Sequence, residues 1–120
     1  MNLSDATTAR LIGGVTLASG LGLVAAPETS LRLMGAGTRD PAPLLFRVVG
    51  MFMGVTGGML LDGGDAPLAV RWGLVQKSGA AAAMTAGVVG GSYRKRALAV
   101  AAFDAASAAV LLRMATRPKE

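Results

Sequence analysis

Three charged residues lie inside apolar segments of this sequence, and they are the side chains that could do chemistry there: Arg47, Lys77 and Asp104. A guanidinium and an ammonium donate hydrogen bonds to carbonyl or anionic groups, whereas a carboxylate accepts them or exchanges a proton. A charge among apolar residues is costly unless it is paired. We therefore treat the three residues as one candidate polar cluster, which serves either as a ligand-binding site or as a structural element.

Asp104 is the most constrained of the three. It lies seven residues into the last apolar segment, about 10 Å along a helix, which is too deep for its short side chain to reach water. Arg47 enters from the same side on another helix at a depth of about 5 Å, within reach of a long guanidinium. The sequence therefore predicts an ion pair between Arg47 and Asp104. The alternative for Arg47 is an outward orientation toward the polar surface.

Lys77 lies in a polar triplet at positions 76–78, for which the sequence leaves two orientations open. Its ammonium either extends toward the acidic turn at 62–65 or turns inward to join Arg47 and Asp104. In the second case two positive groups face one negative group. An unbalanced buried positive charge would attract an anionic or carbonyl-bearing ligand.

The remaining composition excludes most catalytic chemistry. The chain has no Cys and no His, which removes thiolate ligands, the most common general base and the Ser-His-Asp arrangement. We expect no catalytic residue, no metal and no other cofactor. The enzyme alternative is limited to Asp104 acting as an acid or base on a lipid or a quinone.

Composition favours a membrane protein. Hydrophobic residues make up 52% of the chain and charged residues 16%, and the mean hydropathy is +0.53, outside the usual range of soluble domains. The net charge is +5, but the basic residues lie at the ends of apolar segments, without interleaved aromatics. This pattern predicts membrane lipid as a partner and no nucleic acid.

The apolar segments predict an all-α fold, an integral membrane four-helix bundle forming a single domain over residues 1–120. The spans are expected at about 8–26, 44–61, 72–93 and 97–115. A soluble four-helix bundle is the alternative, but it needs a polar face on each helix. A cleavable signal peptide is the alternative for the first span.

A short interfacial helix is expected between the first two spans. Pro27 begins it, its Leu31, Leu33 and Met34 are expected to face lipid, and glycines at 35 and 37 end it. The second span is then expected to start at Asp40–Pro41.

Glycines spaced along the second span mark a face suited to close helix packing. Gly50, Gly54 and Gly58 share a helix face with Arg47, so this face is expected to be buried. It follows that Gly54→Leu should be more disruptive than Gly57→Leu. Small residues recur in the first and third spans as well, and some of them could face a second subunit.

The order Pro27, Leu31-Arg32-Leu33, Gly35, Arg47 and Gly50, followed by Asp104 in the last span, resembles the DoxX-like group of small bacterial four-helix membrane proteins. The resemblance extends over the topology of the whole chain and a handful of positions. It implies a bundle with inward-facing charges, a multi-pass location in the bacterial inner (cytoplasmic) membrane and cytoplasmic termini. It also implies a lipophilic partner, because the namesake is a membrane subunit associated with a quinone-linked oxidoreductase.

Two functions follow from these features. The first is a small non-catalytic membrane protein, a scaffold or accessory subunit of a larger membrane complex, or else a homo-oligomer. The alternative is a binding or transport module for a small lipophilic or anionic molecule, quinone-like or lipid-like, in a polar intramembrane site. Basic residues are five on each side of the predicted bundle, so the positive-inside rule selects no orientation.

Overall fold

The computed structural model describes residues 4–39 and 41–117, and over these residues the chain is all-helical. The elements, in chain order, are α1 (Asp5–Ala25), α2 (Pro27–Leu33), α3 (Ala42–Gly63), α4 (Pro67–Val89), a short 3-10 turn (Lys95–Ala97) and α5 (Leu98–Thr116). The predicted all-α class is confirmed. Each predicted span corresponds to one long helix, with the largest difference at α4.

The helix ends follow from local chemistry. The hydroxyl of Ser4 accepts a hydrogen bond from the amide of Thr7 and so caps α1. Proline occupies the first turn of α2, α3 and α4, where its missing N–H costs nothing. Pro41 precedes the first residue of α3 and makes no side-chain capping bond, and the predicted helix start at Asp40 lies outside the described residues.

The start and end of α4 differ from the predicted span at 72–93. The helix begins five residues earlier than predicted, at Pro67, and ends at Val89. It ends there because the chain turns through Gly91 at a φ of 84°, a backbone angle that favours glycine. Tyr93 therefore lies beyond the helix, with its ring against Gly87. Trp72 and Tyr93, the first and last residues of the predicted span, therefore do not mark the two ends of α4.

α1 and α3 form one antiparallel pair, with Gly13 against Gly57 and Gly20 against Gly50. A Cβ on Gly57 would lie 2.5 Å from the backbone nitrogen of Leu17, and one on Gly50 would lie 2.5 Å from the carbonyl oxygen of Gly20. These backbones approach as closely as they do because the glycines carry no side chain.

The predicted packing face of the second span is only partly right. Gly50 is buried in the contact with α1, but a Cβ on Gly54 would meet only the Leu17 side chain, at 3.8 Å, and one on Gly58 would meet nothing within 4 Å. The glycine that shares the contact with Gly50 is Gly57, which lies seven residues, or two helical turns, further along α3. The prediction that Gly54 matters more than Gly57 is therefore wrong.

α4 and α5 form the second antiparallel pair. The two pairs meet around an apolar core near the start of α1, the end of α3, the start of α4 and the end of α5. This core consists of Ala9, Ile12, Leu60, Ala69, Val70 and Leu111.

α2 lies at the opposite end, where it packs on α1 and α3. Leu31 and Met34 are buried and Leu33 is 68% exposed. The expectation that all three would face lipid is wrong for Leu31 and Met34, because α2 folds back onto the protein through these two residues.

Among the described residues, three helical segments are long and apolar enough to cross a membrane: Asp5–Ala25, Ala42–Gly63 and Lys95–Thr116. Large apolar side chains on their surfaces support the same inference, with Met51, Phe52 and Val55 of α3 between 61% and 67% exposed. Both observations indicate a membrane protein.

Candidate functional site: a buried lysine–aspartate pair

A polar layer lies next to the apolar core. Thr16, Lys77 and Asp104 are each seven residues from a core residue of the same helix, namely Ala9, Val70 and Leu111 in that order. Seven residues are two helical turns, or about 10 Å. All three polar residues are buried, so the polar groups lie at a common level inside the protein.

Lys77 and Asp104 form an ion pair across α4 and α5. The distance from Nζ of Lys77 to Oδ1 of Asp104 is 3.0 Å, and the two side chains are 1% and 6% exposed. At this distance the ammonium donates a charge-assisted hydrogen bond to the carboxylate. The two opposite charges give the pair no net charge, which lowers the cost of keeping them away from water.

An aromatic ring lies beside the pair, and the residue that precedes Lys77 in α4 has a buried polar oxygen. The ammonium of Lys77 lies 4.8 Å from the ring centroid of Phe103, within the range of a cation–π interaction. The side-chain oxygen Oε1 of Gln76 is buried, and the described residues offer it no hydrogen-bond donor. Burying an amide oxygen without a partner is unfavourable, so this oxygen is available to a donor that is not part of the described chain.

Thr16 is the third residue of the polar layer, and its hydroxyl group already has a hydrogen-bond partner. Its hydroxyl donates to the carbonyl oxygen of Ile12 in its own helix at 2.8 Å. Such a bond satisfies a buried hydroxyl locally. Thr16 therefore fits the layer as a structural residue.

The predicted pair between Arg47 and Asp104 is wrong. Arg47 is exposed on α3, and α3 packs along α1, whereas α5 packs along α4. The carboxylate of Asp104 consequently meets the ammonium of Lys77. The side chain of Lys77 is buried, so of its two possible orientations the inward one is observed. Because Arg47 lies outside the cluster, the Lys77–Asp104 pair has no excess of positive charge.

The sequence did not single out Thr16, and it favoured Arg47 over Lys77 as the partner of Asp104. A signal was present in the spacing. Lys77 and Asp104 each lie two turns from a large apolar residue, Val70 and Leu111, that is buried in the same core. Which helices are neighbours could not be read from that spacing.

The comparisons with known proteins add no further site. No family model matches the chain, and no curated protein or solved structure matches it either. Within residues 4–39 and 41–117 there is no group of three or more Asp, Glu, His or Cys residues arranged to hold a metal ion.

Proposed function

We propose that this chain is a multi-pass protein of the bacterial inner membrane whose four long helices all cross the bilayer as a bundle. It acts as a non-catalytic scaffold or accessory subunit of a larger membrane complex. The resemblance to DoxX-like proteins and the three apolar helical segments support this proposal.

The connectivity supports a fourth crossing by α4. α3 and α5 both run toward the end of the molecule that holds the apolar core, and α4 joins them by running the opposite way. If α3 and α5 cross the bilayer, α4 must cross it too, and its 23 residues extend about 34 Å, the thickness of a bilayer core. Lys77 would otherwise oppose insertion of α4, but its charge is buried against Asp104.

The proposed role in a larger complex rests on the exposed face of α4. Its middle carries small or weakly polar exposed residues: Ser78, Gly79, Ala82, Ala83, Thr85 and Ala86. By contrast, α3 presents large apolar side chains such as Phe52 to its surroundings. Membrane helices associate through faces of small residues, since these allow close approach. We place the partner of the complex on this face of α4.

Cross-linking from single cysteines tests the assembly role. The chain has no native cysteine, so Ala82→Cys on α4 and Met51→Cys on α3 each carry one attachment point for a thiol-reactive photo-cross-linker. In intact membranes we expect one discrete cross-linked product from Ala82→Cys and none from Met51→Cys. A product of twice the chain mass would instead assign the face to a second copy, and equal labelling at both positions would contradict the proposal.

A second candidate function is supported by the unpaired oxygen of Gln76. The Lys77 ammonium has three N–H donors, and Asp104 is the acceptor that the described residues provide for it. A small lipophilic molecule that offers an acceptor oxygen to Lys77 and an O–H or N–H donor to Gln76, such as a hydroquinone, could pair with both residues. A co-purifying small molecule that is lost in Gln76→Leu would support this binding function.

A further inference from the structure

The open cleft between α2 and the α4–α5 loop has no role in the function proposed above. Thr29, Arg32, Leu33 and Arg96 line this open cleft, which has a volume of about 280 Å³. We propose that it binds the phosphate group of an anionic phospholipid. The inference rests on the proposed membrane location and names the lipid class that the protein selects.

The position of Arg96 is fixed by the end of α2. Its guanidinium donates through Nη2 to the carbonyl oxygen of Arg32 at 2.7 Å and through Nε to that of Leu33. The carbonyl oxygen of Arg32 also accepts from the backbone N–H of Gly35 at 3.0 Å, whereas that of Leu33 lies in the last turn of α2, where carbonyls lack a partner within the helix. Because both donors come from one planar group, the guanidinium is held at the rim of the cleft with further N–H donors to spare.

Arg32 supplies a second cation that remains available to a ligand. Its neighbour Glu28 lies one turn away, but the separation is 3.6 Å and the two side chains are 67% and 58% exposed. An exposed pair of this kind contributes little free energy. A phosphate can therefore replace Glu28 without a large loss.

The electrostatics of this end of the molecule favour an anion. The described segments 26–39, 41–43 and 90–97 carry five basic residues and one acidic residue, a net charge of +4. The described segments at the other end, 4–10, 62–71 and 113–117, carry four basic and three acidic residues, a net charge of +1. The cleft lies at the more positive end, where the field attracts phosphate.

Leu33 distinguishes a lipid from a free phosphate. Its side chain is 68% exposed and borders the cleft beside the two arginines. An isolated phosphate ion gains nothing from an apolar neighbour, whereas an acyl chain or glycerol backbone buries apolar surface against it. Two arginines, a threonine and an apolar edge match the region of a phospholipid where headgroup and acyl chains meet.

Lipid titration of the full chain tests the cleft. The protein is kept in an uncharged detergent and titrated with phosphatidylglycerol or phosphatidylcholine, and bound lipid is counted by native mass spectrometry. We expect tighter binding of phosphatidylglycerol and about a tenfold loss of that affinity in Arg32→Gln, the effect of removing a charge-assisted hydrogen bond.

Lys95→Gln is the matched control, because it removes the same charge from the neighbouring loop without lining the cleft. It should change the affinity by less than about twofold in micelles, where no charged surface contributes. Equal losses in Lys95→Gln and Arg32→Gln, or no preference of the wild type for phosphatidylglycerol, would overturn the proposal. Displacement of the lipid by millimolar inorganic phosphate would also overturn it, in favour of a free-anion site.

The outcomes separate this inference from the proposed function. If the protein requires detergent for extraction but shows no lipid preference, only the proposal of phospholipid binding in the cleft is contradicted. A chain that stays monodisperse without detergent contradicts the membrane proposal. Thermal unfolding of Arg32→Gln should match that of the wild type, because the Arg32 side chain is exposed.

Discussion

Lys77 and Asp104 are 27 positions apart in the chain, yet their charged groups meet 3.0 Å apart inside the protein. The pair joins the middle of α4 to the first half of α5, one layer away from the apolar core. It is a neutral unit made from two residues that would each be unfavourable alone.

Removing either partner of this pair should be strongly destabilising. We expect Lys77→Met and Asp104→Ala each to lower the free energy of unfolding by about 3 kcal/mol, because each leaves one buried charge without a partner. The double variant should lose at least about 2 kcal/mol less than the sum of the two, since no charge is then stranded. Denaturant titration in micelles, followed by circular dichroism, measures all four proteins. Additive losses would show that the residues act separately.

Arg47 should be uncoupled from Asp104. The Arg47 side chain is exposed on a helix that packs along α1, so Arg47→Met should change stability by less than about 0.5 kcal/mol. Combined with Asp104→Ala, it should give the sum of the single effects within about 0.5 kcal/mol. The same denaturant titration measures this cycle. A coupling energy above about 1 kcal/mol would restore Arg47 to the polar cluster.

Alanine at Gly57 should weaken the contact between α1 and α3. Its Cβ would lie 2.5 Å from the backbone nitrogen of Leu17 and 2.7 Å from the carbonyl oxygen of Gly13, and backbone atoms cannot rotate away. We expect a loss of about 1 to 3 kcal/mol from overpacking. Gly58→Ala is the matched control, because its Cβ meets nothing within 4 Å. It should be neutral or stabilise by up to about 1 kcal/mol through helix propensity. The reverse order in a thermal-shift assay would contradict the described contact.

Arg96 should hold α2 against the rest of the molecule. Arg96→Gln removes the guanidinium that donates to the carbonyl oxygens of Arg32 and Leu33. We expect faster amide hydrogen exchange in α2 and at residues 34–36, while exchange in α1 and α3 stays unchanged. Lys95→Gln keeps these hydrogen bonds and should leave the exchange of α2 as in the wild type. Protection of α2 that is equal in both variants would show that the buried Leu31 and Met34 hold the helix without Arg96.

The sequence by itself determined the helices of this protein. Long apolar segments, prolines at helix starts and glycine-rich turns are local signals, because they act through the backbone and the nearest few residues. They predicted the positions of the four long helices and of the short helix at Pro27, and the predicted ends were least accurate for α4. They also marked Lys77 and Asp104, together with Arg47, as candidates for a polar cluster, since a charge in an apolar segment is visible without knowing its neighbours.

Only the tertiary structure decided which residues meet. The partner of Asp104 depends on α5 packing along α4, and the buried glycines depend on which face of α3 is turned to α1. A chain containing several faces of small residues permits more than one such arrangement, because each face allows close approach with similar geometry. Gly54 and Gly57 differ by less than one turn in the sequence, but the rotation of α3 about its own axis places Gly57 in the contact and leaves Gly54 at its edge. That rotation is fixed by the packing of all the helices together, which no local pattern contains.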